Sequence, residues 1–271
     1  MTAERTDYAT GATGVPDVEV TQLAARAIAV LLDEHGVKRP TIEARLALLI
    51  DAFLSDREDA RRAILARMQR EGVSVHDIID IVLPAVARQA GQRWMDDEIS
   101  FADVTVVTAR LQETLRAFGR APRGRRSVST GPVPNAGHPQ RRVLLIIPRT
   151  EDHTLGAFVV ADQIRRMGIE VDIAMDMHAR QIAEKVRATR YHMIGITASG
   201  RRSLASAREL VEIIKASVTR VTPIVLGGSV VDGGANLKAI TGVDHVLFDT
   251  PSALRECGLL EDDEIAVHDA P

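Results

Sequence analysis

The chain has 271 residues, 45% of them hydrophobic and 26% charged, which is enough for two ordinary domains with apolar cores. A formal net charge of −3 argues against a globally basic nucleic-acid binder and so against direct DNA binding. A single cysteine, Cys257, excludes an internal disulfide framework, and no apolar run is long enough to cross a bilayer, so a cytoplasmic protein that does not enter membranes is expected.

Residues 1–16 are small and polar, with Gly11, Gly14 and Pro16, and are expected to form a flexible tail. From 17 to 119 apolar residues recur at helical spacing: Leu23, Ala27, Val30 and Leu31, then Leu46, Leu49, Ile50 and Phe53, then Ile64, Leu65 and Met68. Gly36 and Pro40 separate the first two helices. Ser74 with Asp77 three residues on predicts a helix start, and Pro84 predicts a kink or break near Leu83 within a helix over 74–95. A last helix starting at Ser100 or Asp103 runs through Leu111, Leu115 and Phe118, which makes a bundle of four or five helices. Residues 120–141 carry Pro122, Gly124, Gly131, Pro132, Pro134, Gly137 and Pro139 without apolar periodicity and read as a linker. Its Arg120, Arg123, Arg125 and Arg126 are read as solvated charge.

Over 142–260 short apolar runs alternate with helical patterns. Strands are expected at 143–147, 170–174, 193–197, 223–226 and 245–248, and helices at 156–167, 179–188, 203–217, 235–240 and 251–257. Val- and Ile-rich strands in β-α order predict an α/β, flavodoxin-like parallel five-stranded sheet. The acidic end, 261–271, is expected to fray.

In such a sheet the loops that follow the strands share one edge, where ligands bind. Glu151-Asp152-His153-Thr154-Leu155-Gly156, Thr197-Ala198-Ser199 and Gly227-Gly228 therefore converge. The imidazole of His153 suits a metal, the hydroxyls of Thr197 and Ser199 donate or accept, and the paired glycines admit a flat ligand or another backbone. Each loop also has a local use: glycine pairs make turns, and Asp152, Thr154 or the hydroxyls of the second loop cap helices. The other histidines, among them His35, His76, His178, His192 and His245, lack the spacing of a second metal site and read as surface or capping residues.

The three loops resemble the cobalamin-binding signature Asp-x-His-x-x-Gly, Ser-x-Leu and Gly-Gly, here Glu151-x-His153-x-x-Gly156, Thr197-x-Ser199 and Gly227-Gly228. The resemblance implies that His153 ligates cobalt in place of the cofactor's own benzimidazole. It also implies that the acidic residue orients the ring and that the hydroxyl and glycine loops receive the displaced nucleotide tail. Glu for Asp changes the reach of the carboxylate, and Ser199 for Leu makes the channel more polar. The helical half is similar to the cap of such proteins, with Gly91-x-x-Trp94 and then Ile99-Ser100-Phe101, which implies Trp94 and Phe101 over the upper face of the corrin. Val104-Thr105 stand where light-sensing cobalamin repressors carry Glu-His, so no second histidine ligand is expected there.

Residues 75 to 255 look most like the PpaA/AerR group of cobalamin-binding antirepressors. The resemblance implies a non-enzymatic, light- or redox-responsive regulator of photosynthesis genes. Its cofactor would be adenosyl- or hydroxocobalamin and its partner a DNA-binding repressor of the CrtJ/PpsR type. Two alternatives share the layout: a haem sensor using the same histidine, and a corrinoid carrier serving a methyltransferase.

Overall fold

A computed structural model describes residues 42–120, 141–218, 221–233 and 236–261. The expected tail, the first expected helix, nearly all of the linker and the acidic end lie outside the described residues.

The helical half begins with α1 (Ile42–Leu54) and α2 (Glu58–Arg70). Their apolar stripes are buried at Leu46, Leu49, Ile50 and Phe53 and at Leu65 and Met68, as the helical spacing demands. Next, α3 (Val75–Asp77), a π-helical segment (Ile78–Val82) and α4 (Leu83–Met95) run on without a break. Ser74 and Asp77 close a reciprocal cap: the Ser74 hydroxyl accepts from the Asp77 amide at 3.0 Å, and the Asp77 carboxylate accepts from the Ser74 amide at 3.3 Å. The disturbance expected near Leu83 takes the form of the wide π turn. Pro84 has no amide to give and its ring crowds the carbonyl four residues back, so the preceding turn widens and the helix continues. Ser100 and Asp103 repeat the same cap at the start of α5 (Phe101–Arg120).

The second half is a five-stranded, all-parallel sheet in the order β2-β1-β3-β4-β5. The strands are β1 (Arg142–Ile147), β2 (Glu170–Met175), β3 (Met193–Thr197), β4 (Ile224–Gly227) and β5 (His245–Val246). Between them lie α6 (Leu155–Arg166), α7 (Ala179–Ala188), α8 (Arg201–Ser217) and α9 (Leu237–Thr241), and α10 (Thr250–Glu256) closes the series. Alternate strand residues serve opposite faces. Leu144, Ile146, Ile194, Ile196 and Leu226 meet α7 and α8, whereas Val143, Leu145, Met193 and Val225 meet α6 and α10. Two expectations are corrected. The strand expected over 245–248 is only two residues long, and Phe248 is exposed. The helix expected over 235–240 is α9, preceded by a 3-10 turn at Ser229–Gly233.

The two halves share a core, because Leu155 and Val159 of α6 pack among the bundle residues Val107, Leu111 and Leu115. Arg166 of α6 reaches Asp80 in the π-helical segment at 2.5 and 2.7 Å and Asp162 on its own helix at 2.9 Å. The Arg116 guanidinium lies 5.6 Å over the Phe158 ring. Among the described residues no helix is long and apolar enough to cross a membrane.

Candidate functional site

β1 ends at Ile147, and a turn closed by the Glu151 amide on the Pro148 carbonyl, 2.9 Å, brings Glu151 and His153 to the carboxyl edge of the sheet. Their side chains have opposite environments: that of Glu151 is 1% exposed and that of His153 is 81% exposed. The longer carboxylate reaches its target. Glu151 Oε1 accepts from the His153 amide at 2.8 Å, lies 3.2 Å from His153 Nδ1 and accepts from the Ser199 hydroxyl at 2.7 Å. Ser199 Oγ is itself 3.1 Å from His153 Nδ1.

Proton bookkeeping then fixes the tautomer of the neutral ring. The carboxylate only accepts, and the Ser199 proton is committed to it, so Nδ1 carries the proton and donates. Nε2 keeps its lone pair, and no described residue bonds it. That is the nitrogen an imidazole offers to a metal when its other nitrogen is held by a carboxylate.

Burial acts to raise the Glu151 pKa, but hydrogen bonds from the His153 ring, the Ser199 hydroxyl and the His153 amide, with help from Ser203, outweigh it and hold the group at about 2. The same pairing with Glu151 raises the His153 pKa against the opposing effect of burial. In the cofactor-free protein the Glu151 contribution to stability is therefore full above the ordinary value of 4.5 and is lost as the pH falls toward 2. The His153 contribution runs the other way, full below 6.5 and lost as the pH rises through the raised value. Urea midpoints measured from pH 2 to 8 should show an acid limb that Glu151→Gln flattens.

Neither Asp152 nor Thr154 caps α6. The Thr154 side chain makes no cap bond, and its hydroxyl instead accepts from Gln112 Nε2 of α5 at 2.7 Å, which ties the bundle to the residue beside His153. Asp152 is exposed, with its carbonyl accepting from the Thr154 amide at 3.1 Å. Leu155, expected to line the ligand, is buried in the core between the two halves, because α6 begins there with its apolar face toward the bundle. Gly156 is exposed, and a Cβ added there would meet nothing within 4 Å.

On the neighbouring strand Thr197 stands beside Gly227 in the β3–β4 register, and its hydroxyl is buried without a partner. Ser199 does not cap α8. Ser203 does so, accepting from the Ser199 and Gly200 amides, each at 3.0 Å. Gly228 has φ +105°, and a Cβ there would fall 2.3 Å from the Ala198 carbonyl oxygen, so the glycine pair lets β4 leave the sheet against the Thr197-Ala198-Ser199 loop. Trp94 is not a core residue: it is 45% exposed, and its ring centroid lies 5.8 Å from that of Phe101, at 59°. Phe101 precedes Gln112 by eleven residues, so the aromatic pair stands about 16 Å along α5 from the contact with Thr154.

Sequence reasoning missed two contributors. Ser203 carries a local signal, a serine three residues after Gly200 at a helix start. Gln112 carries none, because its partner lies across the interface between the two halves.

The arrangement fits a corrinoid. One exposed imidazole with its lone pair outward suits a metal already held by a macrocycle, and no three His, Cys, Asp or Glu side chains cluster as a free-ion site among the described residues. Glu151 Oε2 and Thr197 Oγ1 are buried polar atoms without partners at the same edge, as expected where a polar ligand completes the site.

Comparison with known proteins agrees. The B12 binding domain family matches residues 141–257. An uncharacterized 20.5 kDa protein of the bchF-crtJ intergenic region of Rhodobacter capsulatus is 31% identical over 188 residues, which cover 69% of this chain and 94% of that protein. The monomethylamine corrinoid protein of Methanosarcina barkeri has the same fold, with a TM-score of 0.58 at 14% identity over 78% of this chain and 95% of that one. A cobalamin-binding protein of Desulfitobacterium hafniense is a more distant match, at TM-score 0.39 and 16% identity over 79% and 96% of the two chains. The chain belongs to the B12-binding domain family, in its PpaA/AerR-type group, which joins a helical cap to the cobalamin-binding domain.

Proposed function

We propose that the protein is a cytoplasmic, cobalamin-responsive transcriptional regulator rather than an enzyme. It acts as an antirepressor on a DNA-binding repressor of photosynthesis genes of the CrtJ/PpsR type. The observation that carries the cofactor assignment is the buried Glu151 carboxylate holding His153 Nδ1 while Nε2 faces outward. The regulatory assignment draws on the relative encoded between bchF and crtJ.

In this reading His153 is the metal ligand, and Asp152, Thr154 and Gly156 complete its loop with Leu155 behind them. Thr197, Ser199, Gly227 and Gly228 border the space for the nucleotide tail, and Trp94 and Phe101 cover the upper face. When bound, adenosyl- or hydroxocobalamin supplies a cobalt centre whose upper ligand changes with light or redox state. A ligand shifts a conformational equilibrium only by binding its states unequally. The bond from Gln112 to Thr154 and the shared core at Leu155 are the routes by which the cap would register that difference.

The test is a gel-shift titration of a repressor–operator complex with this protein, cobalamin-free and loaded with hydroxocobalamin, in light and in dark. Release that depends on loading is expected, and an operator complex indifferent to every form would overturn the regulator. Uptake of haemin with refusal of hydroxocobalamin would replace the corrin by haem.

The fold shared with the monomethylamine corrinoid protein favours one second reading, a methyl carrier. It predicts that the protein loaded with methylcobalamin passes the methyl group to a thiol acceptor when a partner methyltransferase is supplied.

A further inference from the structure

We infer that the loop after β1, the start of α7 and the first turns of α8 form a second binding site, one for a phosphate group, apart from the space for cobalamin. Arg149, just after β1, reaches across to α7, where its Nη1 lies 3.0 Å from His178 Nδ1 and 3.2 Å from His178 Nε2. Thr150, the next residue, turns to α8 and shares a 2.9 Å hydrogen bond with the Ser206 hydroxyl. Arg202 stands four residues before Ser206, on the same face of α8 and about 6 Å nearer the carboxyl edge of the sheet.

The cluster holds more donors than acceptors. The His178 ring can take one N–H of the Arg149 guanidinium, and the other four meet no acceptor among the described residues. Whichever hydroxyl of the Thr150–Ser206 pair donates, the proton of the other stays free. Arg202 is exposed and bonds to no described carboxylate, and Asp152 and Asp176, the acids of the adjoining loops, are exposed and pair with none of these groups. The helix starts make no claim on them either: Gln181 accepts from the His178 amide at 2.8 Å, and Ser203 serves α8. Two arginine forks and a hydroxyl, set on different elements, suit the several oxygens of a tetrahedral phosphate better than the single plane of a carboxylate. In the reading above the nucleotide tail of cobalamin enters on the other face of the sheet. Thr197 and Gly227 alternate with Met193 and Val225 on the side covered by α6 and α10, whereas α7 and α8 cover the opposite side.

The experiment titrates the full-length, cofactor-free protein by calorimetry at low ionic strength, with inorganic phosphate and separately with adenosine monophosphate. Wild type is expected to saturate at one site. Arg149→Gln and Arg202→Gln should each weaken binding about 10-fold, as for loss of a charge-assisted hydrogen bond. Both side chains are exposed, so neither change should disturb the fold. Arg180→Gln, which alters an exposed arginine of α7 already paired with Glu184 at 3.2 Å, should leave binding unchanged. Nitrogen-15 signals of the His178 ring should move as phosphate is added. Tighter binding of adenosine monophosphate would identify a small phosphate ester as the source of the group, and tighter binding of inorganic phosphate would identify the free ion. No saturation by either anion, binding indifferent to both Arg149→Gln and Arg202→Gln, or an equal loss in Arg180→Gln would overturn the site. So would saturation by a polyglutamate peptide without any response to phosphate, which would make this surface a dock for an acidic protein. None of these readouts uses cobalamin, so their failure would leave the cofactor reading untouched.

Discussion

Alanine in place of His153 is expected to leave a folded protein that puts no protein nitrogen on cobalt. The side chain is largely in solvent, so its loss forfeits little packing, and Glu151 keeps the His153 amide and the Ser199 hydroxyl as donors. The unfolding free energy should stay within about 1 kcal/mol of wild type, as for surface substitutions with one lost contact. What disappears is the only imidazole at the sheet edge among the described residues that combines an outward lone pair with a buried carboxylate behind it. Electron paramagnetic resonance of the cob(II)alamin-loaded protein, grown with nitrogen-15 histidine, reads this directly. The wild type should show coupling to the labelled nitrogen and His153→Ala none. Glu151→Gln should lie between the two, retaining the ligand but weakening cobalamin binding about 10- to 100-fold through loss of the orienting charge. Labelled-nitrogen coupling that survives in His153→Ala would place the ligand elsewhere and remove the basis of the site.

Why the edge was legible and its internal bonding was not comes down to the range of the interactions. β1 from Val143 to Ile147 and β3 from Met193 to Ile196 are buried on both faces, so they appear as short runs without charged residues, and any residue just after them must fall on the carboxyl edge. That places Glu151, His153, Thr197 and Ser199 together from order alone. Whether Ser199 meets Glu151 or caps α8 depends on a β1–β3 register in which Leu145 pairs with Gly195, and on a serine four residues later taking over the cap. No local pattern carries that information. Leu155 failed for a related reason. It follows a polar loop and resembles part of it, but the helix starting there turns this side chain into the bundle, a fact set by how the two halves pack. Trp94 shows what the resemblance added: a lone tryptophan in an amphipathic helix is by itself more often packed inside, whereas the cap motif implies it over the upper face of a corrin, and at the end of α4 beside Phe101 it stands 45% exposed.

The interface that escaped sequence reasoning also makes the largest expected contribution to stability. Arg166 is 15% exposed and binds Asp80 and Asp162, the latter 8% exposed, so the guanidinium neutralises two carboxylates that are largely out of water. Removing one partner from a buried ion pair costs about 3–5 kcal/mol, because the remaining charge is left without compensation. The partial exposure of Asp80 puts Arg166→Ala toward the lower end of that range. Most of the loss should be a penalty and not a net value of the cluster. Replacing Arg166, Asp80 and Asp162 together by apolar residues of similar size should therefore recover much of it, and chemical denaturation of the single and triple variants measures both. The two outcomes would differ in function. Asp80 belongs to the π-helical segment that leads into α4, and Arg166 ends the helix that the His153 loop begins, so this cluster fixes one end of the cap against α6 while Gln112 fixes the other at Thr154. A triple variant that regains stability but no longer transmits cobalamin loading to the repressor complex would show that the charges specify the seating of the cap, and one that regains both would show that the shared apolar core at Leu155 and Val159 is sufficient.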